Sequence, residues 1–123
     1  MTLTFIEIEN FMACRDDYFT SDDAFAALQQ ALMADPESGS VMRGCGGLRK
    51  IRWPDARRGR GKRGGLRVIY LLIPELEMVV FVDVYDKDEA DDLTPDERRI
   101  LAKLASESRD KLFALAAQQR RRR

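Results

Sequence analysis

Apolar residues recur along this chain in patterns that mark six elements. Leu3 to Ile8 is short and mostly apolar, and Thr4 and Phe5 add β preference, which predicts a first strand. A loop is expected through Arg15–Asp17. Thr20, Ser21, Asp22 and Asp23 then form a capping cluster whose acids suit the positive end of a helix. That helix is predicted over about Asp22 to Ala34. Phe25, Leu28 and Leu32 fall on one of its faces, and Pro36, Ser38 and Gly39 end it. Leu48 to Trp53 alternates, sending Leu48, Lys50 and Arg52 one way and Arg49, Ile51 and Trp53 the other. Leu66 to Ile73 is almost continuously apolar, as a strand buried on both faces would be. After a tight connection at Pro74 to Glu77, Met78 to Tyr85 completes a hairpin. In this last strand Met78, Val80, Val82 and Val84 are expected on one face, and Val79, Phe81, Asp83 and Tyr85 on the other.

Thr94, Pro95 and Glu97 form a helix start in which each residue has a role: N-cap, first helical position, and closing member of a capping box. The helix is predicted to reach about Ala117, with Ile100, Leu101, Leu104, Leu112 and Leu115 as its buried stripe. The order β-α-β-β-β-α predicts an α+β fold. An antiparallel β-meander has the N-terminal strand beside it, with helices covering one face and Lys50 and Arg52 on the face left partly open. Residues 1–117 are expected to form a single domain, followed by a loose basic C-terminal tail over 118–123.

The length, 123 residues, suits one domain, and 45% apolar residues can supply its core. The net charge of zero hides a strong segregation. Residues 1–42 carry one base against eight acids, and residues 43–73 ten bases against one acid, Asp55. Residues 74–97 then carry one base, Lys87, against ten acids, and residues 98–123 nine bases against two. Such blocks predict a bipolar surface whose basic part attracts polyanions. No apolar run approaches the roughly 20 residues needed to span a bilayer. Met1 to Ile8 lacks a basic stretch followed by an apolar one, so no secretory leader is expected. Two cysteines, Cys14 and Cys45, are too few for a disulfide framework, and a reducing, cytoplasmic setting follows.

Histidine is absent, which excludes Ser-His-Asp and Cys-His nucleophilic systems, histidine acid–base pairs and histidine-bearing zinc sites. The loop Gly59-Arg-Gly-Lys-Arg-Gly-Gly65 is not a phosphate loop of the Walker type, because Arg63 rather than Ser or Thr follows Lys62. Alone it would be a solvated basic loop. Lys50, Arg52 and Arg67 flank it, however, and make it part of a cluster. Asp86, Asp88, Glu89, Asp91 and Asp92 do not form an EF-hand loop, since its sixth position holds Asp91 rather than glycine. They read as a solvated acidic turn before the last helix. No metal and no cofactor is expected. Trp53 and Tyr70 are expected as core or rim aromatics, and both cysteines as inert.

A basic surface with a tyrosine is sufficient to cut RNA. The substrate brings its own nucleophile, the 2′-hydroxyl. The protein must align it with phosphorus, stabilise the added negative charge and move protons. Arginine holds phosphate through paired hydrogen bonds, and a lysine or tyrosine can serve as acid or base.

Three blocks sharpen this reading: Gly46-Gly-Leu-Arg-Lys-Ile-Arg-Trp53, Gly61-Lys-Arg-Gly-Gly-Leu-Arg-Val-Ile-Tyr70 and Tyr85-Asp-Lys-Asp-Glu-Ala-Asp-Asp-Leu-Thr94. Over residues 44–104 the chain resembles the RelE/ParE superfamily of type II toxin-antitoxin systems, and within it the HigB-like branch. The resemblance implies a RelE-like mRNA interferase, an endoribonuclease that binds the ribosome and cleaves mRNA, neutralised by an antitoxin of helix-turn-helix type. By position it implies Lys50, Arg52, Arg67 and Lys87 as catalytic candidates and Lys62 as an RNA-binding one. Tyr85, whose position differs from the family's phenol, is added to the catalytic candidates, and Arg49, Arg60 and Arg63 to the RNA-binding ones, from the basic cluster itself. The chain departs from the pattern at Asp88, where RelE has arginine. It also lacks the tyrosine of RelE's final segment and the histidine of HigB and YoeB relatives. Tyr85 is the phenol that stands in for them. Two other functions share this architecture: ParE-like inhibition of DNA gyrase, and noncatalytic binding of RNA or ribosomes.

Overall fold

In a computed structural model, residues 2–58, 65–86 and 93–122 are described. The strands are β1 (Thr4–Glu7), β2 (Ser40–Val41), β3 (Arg49–Trp53), β4 (Leu66–Ile73) and β5 (Met78–Asp86). The helices are α1 (Glu9–Tyr18), α2 (Asp22–Ala34) and α3 (Pro95–Arg121). One five-stranded sheet has the order β1-β5-β4-β3-β2. Strands β2 to β5 are antiparallel neighbours, and β1 lies parallel to β5 at the edge. This is the expected α+β meander with the N-terminal strand beside it, extended by the two-residue β2.

Two helices start as their sequences dictate. The Ser21 hydroxyl accepts from the Ala24 backbone N–H at 3.1 Å, and Asp22 and Asp23 occupy the first turn of α2. Thr94 and Glu97 cap α3 reciprocally, at 3.1 and 3.0 Å. The Glu97 carboxyl is held below its usual range by those hydrogen bonds from Thr94. Helix α1 replaces the loop expected around Arg15. Its N-cap, Ile8, offers no side-chain hydrogen bond, and it buries only Phe11. Tertiary contacts hold it instead. Phe11 stacks on Phe81 at 5.1 Å, and Arg15 pairs with Glu7 at 3.0 Å while lying over the Phe25 ring.

The sheet is covered on both sides, whereas helices had been expected over one. Alternate residues of β4 divide between two cores. Leu66, Val68 and Tyr70 pack with Phe11, Phe25 and Leu28 of α1 and α2. Ile69, Leu71 and Ile73 pack with Ala105 of α3, joined by Leu101, Leu104, Leu112 and Phe113. The stripe of α3 is therefore rotated from the expected one. Ile100 is 67% exposed and Leu115 is also exposed, while Ala105 is fully buried because Gly46 approaches it. The helix also runs on through Arg121, into the stretch expected to be a loose tail.

A β-bulge lies in β5. Ile69 pairs with Asp83 and Tyr70 with Phe81, which leaves Val82 as the extra residue. Val80 and Val82 face the α3 core, and Val84 faces the α1–α2 core. Beyond the bulge, Tyr85 turns to the α3 side rather than sharing a face with Val79 and Phe81 as strict alternation predicts.

Candidate active site

Strand register brings three of the sequence candidates into one row. Arg52 on β3 is opposite Arg67 on β4, and Arg67 is opposite Tyr85 on β5. Partners across an antiparallel pair share a face, with Cβ atoms about 4.5–5.5 Å apart. The row thus crosses three strands within roughly 10 Å. It sits at one end of the α3-facing side, beyond the apolar patch of Ile69, Leu71, Val80 and Val82. Only its β3 end is open. Arg52 is open to solvent, Arg67 is 7% exposed and Tyr85 9%. The Arg67 Nη1 donates to the Leu66 carbonyl oxygen at 3.3 Å. Like charges at opposite positions of a strand pair are unfavourable unless an acid or anion lies between them.

A second row runs alongside the first. Lys50 on β3 lies between Ser40 on β2 and Ile69 on β4, and Ile69 faces Asp83. Lys50 and Arg52 are two residues apart on one strand, so their side chains leave the same face about 6.6 Å apart.

Arg49 does not join them. It points to the opposite face, and its Nη1 donates to the carbonyl oxygens of Glu37 at 3.2 Å and Gly39 at 2.8 Å. It fastens the connection after α2, beside Tyr70, whose hydroxyl donates to the Pro36 carbonyl at 2.8 Å and accepts from the Gly39 N–H at 2.9 Å. Period-2 alternation separates Arg49 from Lys50 and Arg52, so if it binds RNA it does so on the other face of the sheet, with its Nη1 held by two backbone carbonyls. Lys87, Arg60, Lys62 and Arg63 lie outside the described residues.

A clamp at the end of the sheet was not foreseen. Arg57 meets both carboxylate oxygens of Asp55, at 2.9 and 2.7 Å, and reaches Asp86 Oδ2 at 3.2 Å. The two carboxylates are only 2% and 5% exposed. The Asp55 hydrogen bond raises the Arg57 guanidinium above its ordinary range, with both carboxylates adding to the effect. Arg57 also lies over the Tyr18 ring at 4.8 Å. The clamp joins the connection after β3 to the end of β5, one residue beyond Tyr85. The signal for it in the sequence is Asp55, the lone acid among ten bases.

Among the described residues no group of His, Cys, Asp and Glu gathers as a metal site would require. No helix among them is long and apolar enough to cross a membrane.

No family model matches the chain. Among solved structures it is similar to the E. coli toxin RelE, solved in the free state as a double arginine-to-alanine mutant. The TM-score is 0.48 at 16% sequence identity, covering 74% of this chain and 90% of that one.

Proposed function

We propose that this protein is an endoribonuclease toxin that cleaves mRNA on the ribosome without a metal or cofactor. The observation that carries the reading is the row of Arg52, Arg67 and Tyr85 on one face of the sheet. Arg52 and Arg67 flank a phosphodiester from two strands and stabilise the charge that builds on its oxygens. The ribose 2′-hydroxyl attacks the adjacent phosphorus and the 5′-oxygen of the next nucleotide leaves. The products are a 2′,3′-cyclic phosphate and a 5′-hydroxyl. One proton leaves the 2′-oxygen and one joins the departing oxygen, and in this reading Tyr85 and Lys50 move them. Lys87 is a further candidate for that role. The buried end of the row, at Tyr85 and Arg67, gives the reaction a partly water-free wall. Arg60, Lys62 and Arg63 grip the RNA backbone. In the cytoplasm an antitoxin of helix-turn-helix type silences the protein.

The test is cleavage of a synthetic mRNA by the purified protein, with and without ribosomes, followed by identification of the new ends. Cyclic phosphate ends that require ribosomes are expected. Arg52→Ala, an exposed position, is expected to keep the fold and lose roughly 10²-fold or more in rate. Intact transcripts from the wild-type protein, or full activity in Arg52→Ala and Arg67→Ala alike, would overturn the reading.

A further inference from the structure

Beside the row lies a cleft of about 220 Å³ whose lining includes Ser40, Arg43, Lys50 and Arg98, with Met42 and Leu93 as apolar wall. We propose that it is a second anion subsite, one that holds the phosphodiester backbone of single-stranded RNA next to the scissile phosphate. The inference deepens the endoribonuclease reading and rests on it.

Three cations reach this cleft from three elements. Lys50 comes from β3, Arg43 from the turn between β2 and β3, and Arg98 from the first turns of α3. Among the described residues that line it, none is acidic. Arg98 stands near the positive end of the α3 dipole, where a cation is unfavourable and an acid is preferred. It is nevertheless fastened there: its Nη1 donates to the Arg43 carbonyl oxygen at 2.6 Å. A guanidinium has five N–H donors, so the bond to this carbonyl orients the group and leaves donors for a ligand. A cation kept against the local helix preference and aimed by a backbone carbonyl is a sign of function rather than of helix stability.

The cleft is continuous with the row. Lys50 lines it, and Arg52 leaves the same face of the same strand two residues on. Its volume lies below the roughly 300 Å³ at which small-molecule pockets begin, so it suits one phosphate with part of its sugar. Met42 and Leu93 supply an apolar surface for the sugar.

The experiment is binding of a fully 2′-O-methylated single-stranded RNA, which cannot be cleaved, measured against salt concentration. Cleavage plays no part in the readout, so failure here is distinct from failure of the nuclease reading. Arg43→Ala combined with Arg98→Ala is expected to weaken binding at least tenfold at low salt. Removing two cations that each neutralise one phosphate lowers the log–log salt slope by about 1.4. Arg43→Ala alone alters an exposed side chain whose structural role is carried by its carbonyl, so it tests the subsite if the double variant unfolds, with about half that change in slope. Unchanged affinity and slope in the folded variants overturn the proposal. So does polyglutamate that binds as tightly as the RNA and suffers the same loss, because the cleft is then a site for acidic peptide.

Discussion

Tyr85 faces Arg67 because β5 contains one residue, Val82, that β4 does not match. Without that extra residue the phenol would turn toward Phe81 and the α1–α2 core, and the row would end at two arginines. The bulge thus delivers the one phenol of the row, at the strand end where the chain leaves the sheet.

Tyr85→Phe separates this chemical role from packing. The ring keeps its place in the α3 core and only the hydroxyl is lost. RNA cleavage is expected to fall by roughly 10²-fold or more, with near-ultraviolet circular dichroism unchanged. Unaltered cleavage would remove Tyr85 from the reaction.

The Arg57 clamp makes a prediction about stability. Arg57→Met leaves the carboxylates of Asp55 and Asp86 buried without this guanidinium. The carboxylates are buried but Arg57 itself is partly exposed, so the loss is expected to be about 1–3 kcal/mol, which urea unfolding would register as a lower midpoint at unchanged slope.

Gly46 carries the contact between the β2–β3 turn and α3. Its φ of +68° lies in the left-handed region, and an added Cβ would sit 3.1 Å from the Ala102 carbonyl oxygen and 3.3 Å from the Ala105 Cβ. Gly46→Ala is expected to cost about 1–3 kcal/mol by thermal unfolding. Gly44, also at positive φ, meets no atom within 4 Å, so Gly44→Ala is expected to cost less.

Tyr70 sets the alkaline limit of one part of the core. Burial raises its hydroxyl above the ordinary value of 10.0, against the lowering effect of the Gly39 hydrogen bond. The neutral form is therefore favoured in the folded state. The group's contribution is intact below the unfolded value and is lost as pH rises from there through the folded one. Unfolding free energies measured at pH 9 and pH 11 are expected to differ less in Tyr70→Phe than in the wild type. At pH 7 the same substitution costs about 1–3 kcal/mol, because the buried Gly39 N–H loses its acceptor.

Sequence patterning shows most where local chemistry decides. Ser21 with its acidic turn and Thr94 with Glu97 announce α2 and α3, and continuous apolar runs announce β4 and β5. The patterning fails where distant contacts decide. Phe11, Met12, Ala13 and Cys14 form an unbroken run with no cap before it, and α1 becomes helical against Phe81 and Phe25. A bulge has no local signature in Val79–Val84, since each residue there suits either face. Lys50, Arg52 and Arg67 were readable as one group because alternation on β3 and the pairing with β4 are both short-range. The places of Arg57 and Arg98 were not, because each is set by a carbonyl or carboxylate on another segment.

The strand made first during synthesis pairs only with the one made last, Phe5 beside Val79. Residues 2–8 must wait in the nascent chain until β5 has emerged, and closing that long span is the slow part of forming such a sheet. A product that stops short of Met78 lacks both the closed sheet and Tyr85. Truncation before Met78 therefore removes the partner of the edge strand together with the third member of the row.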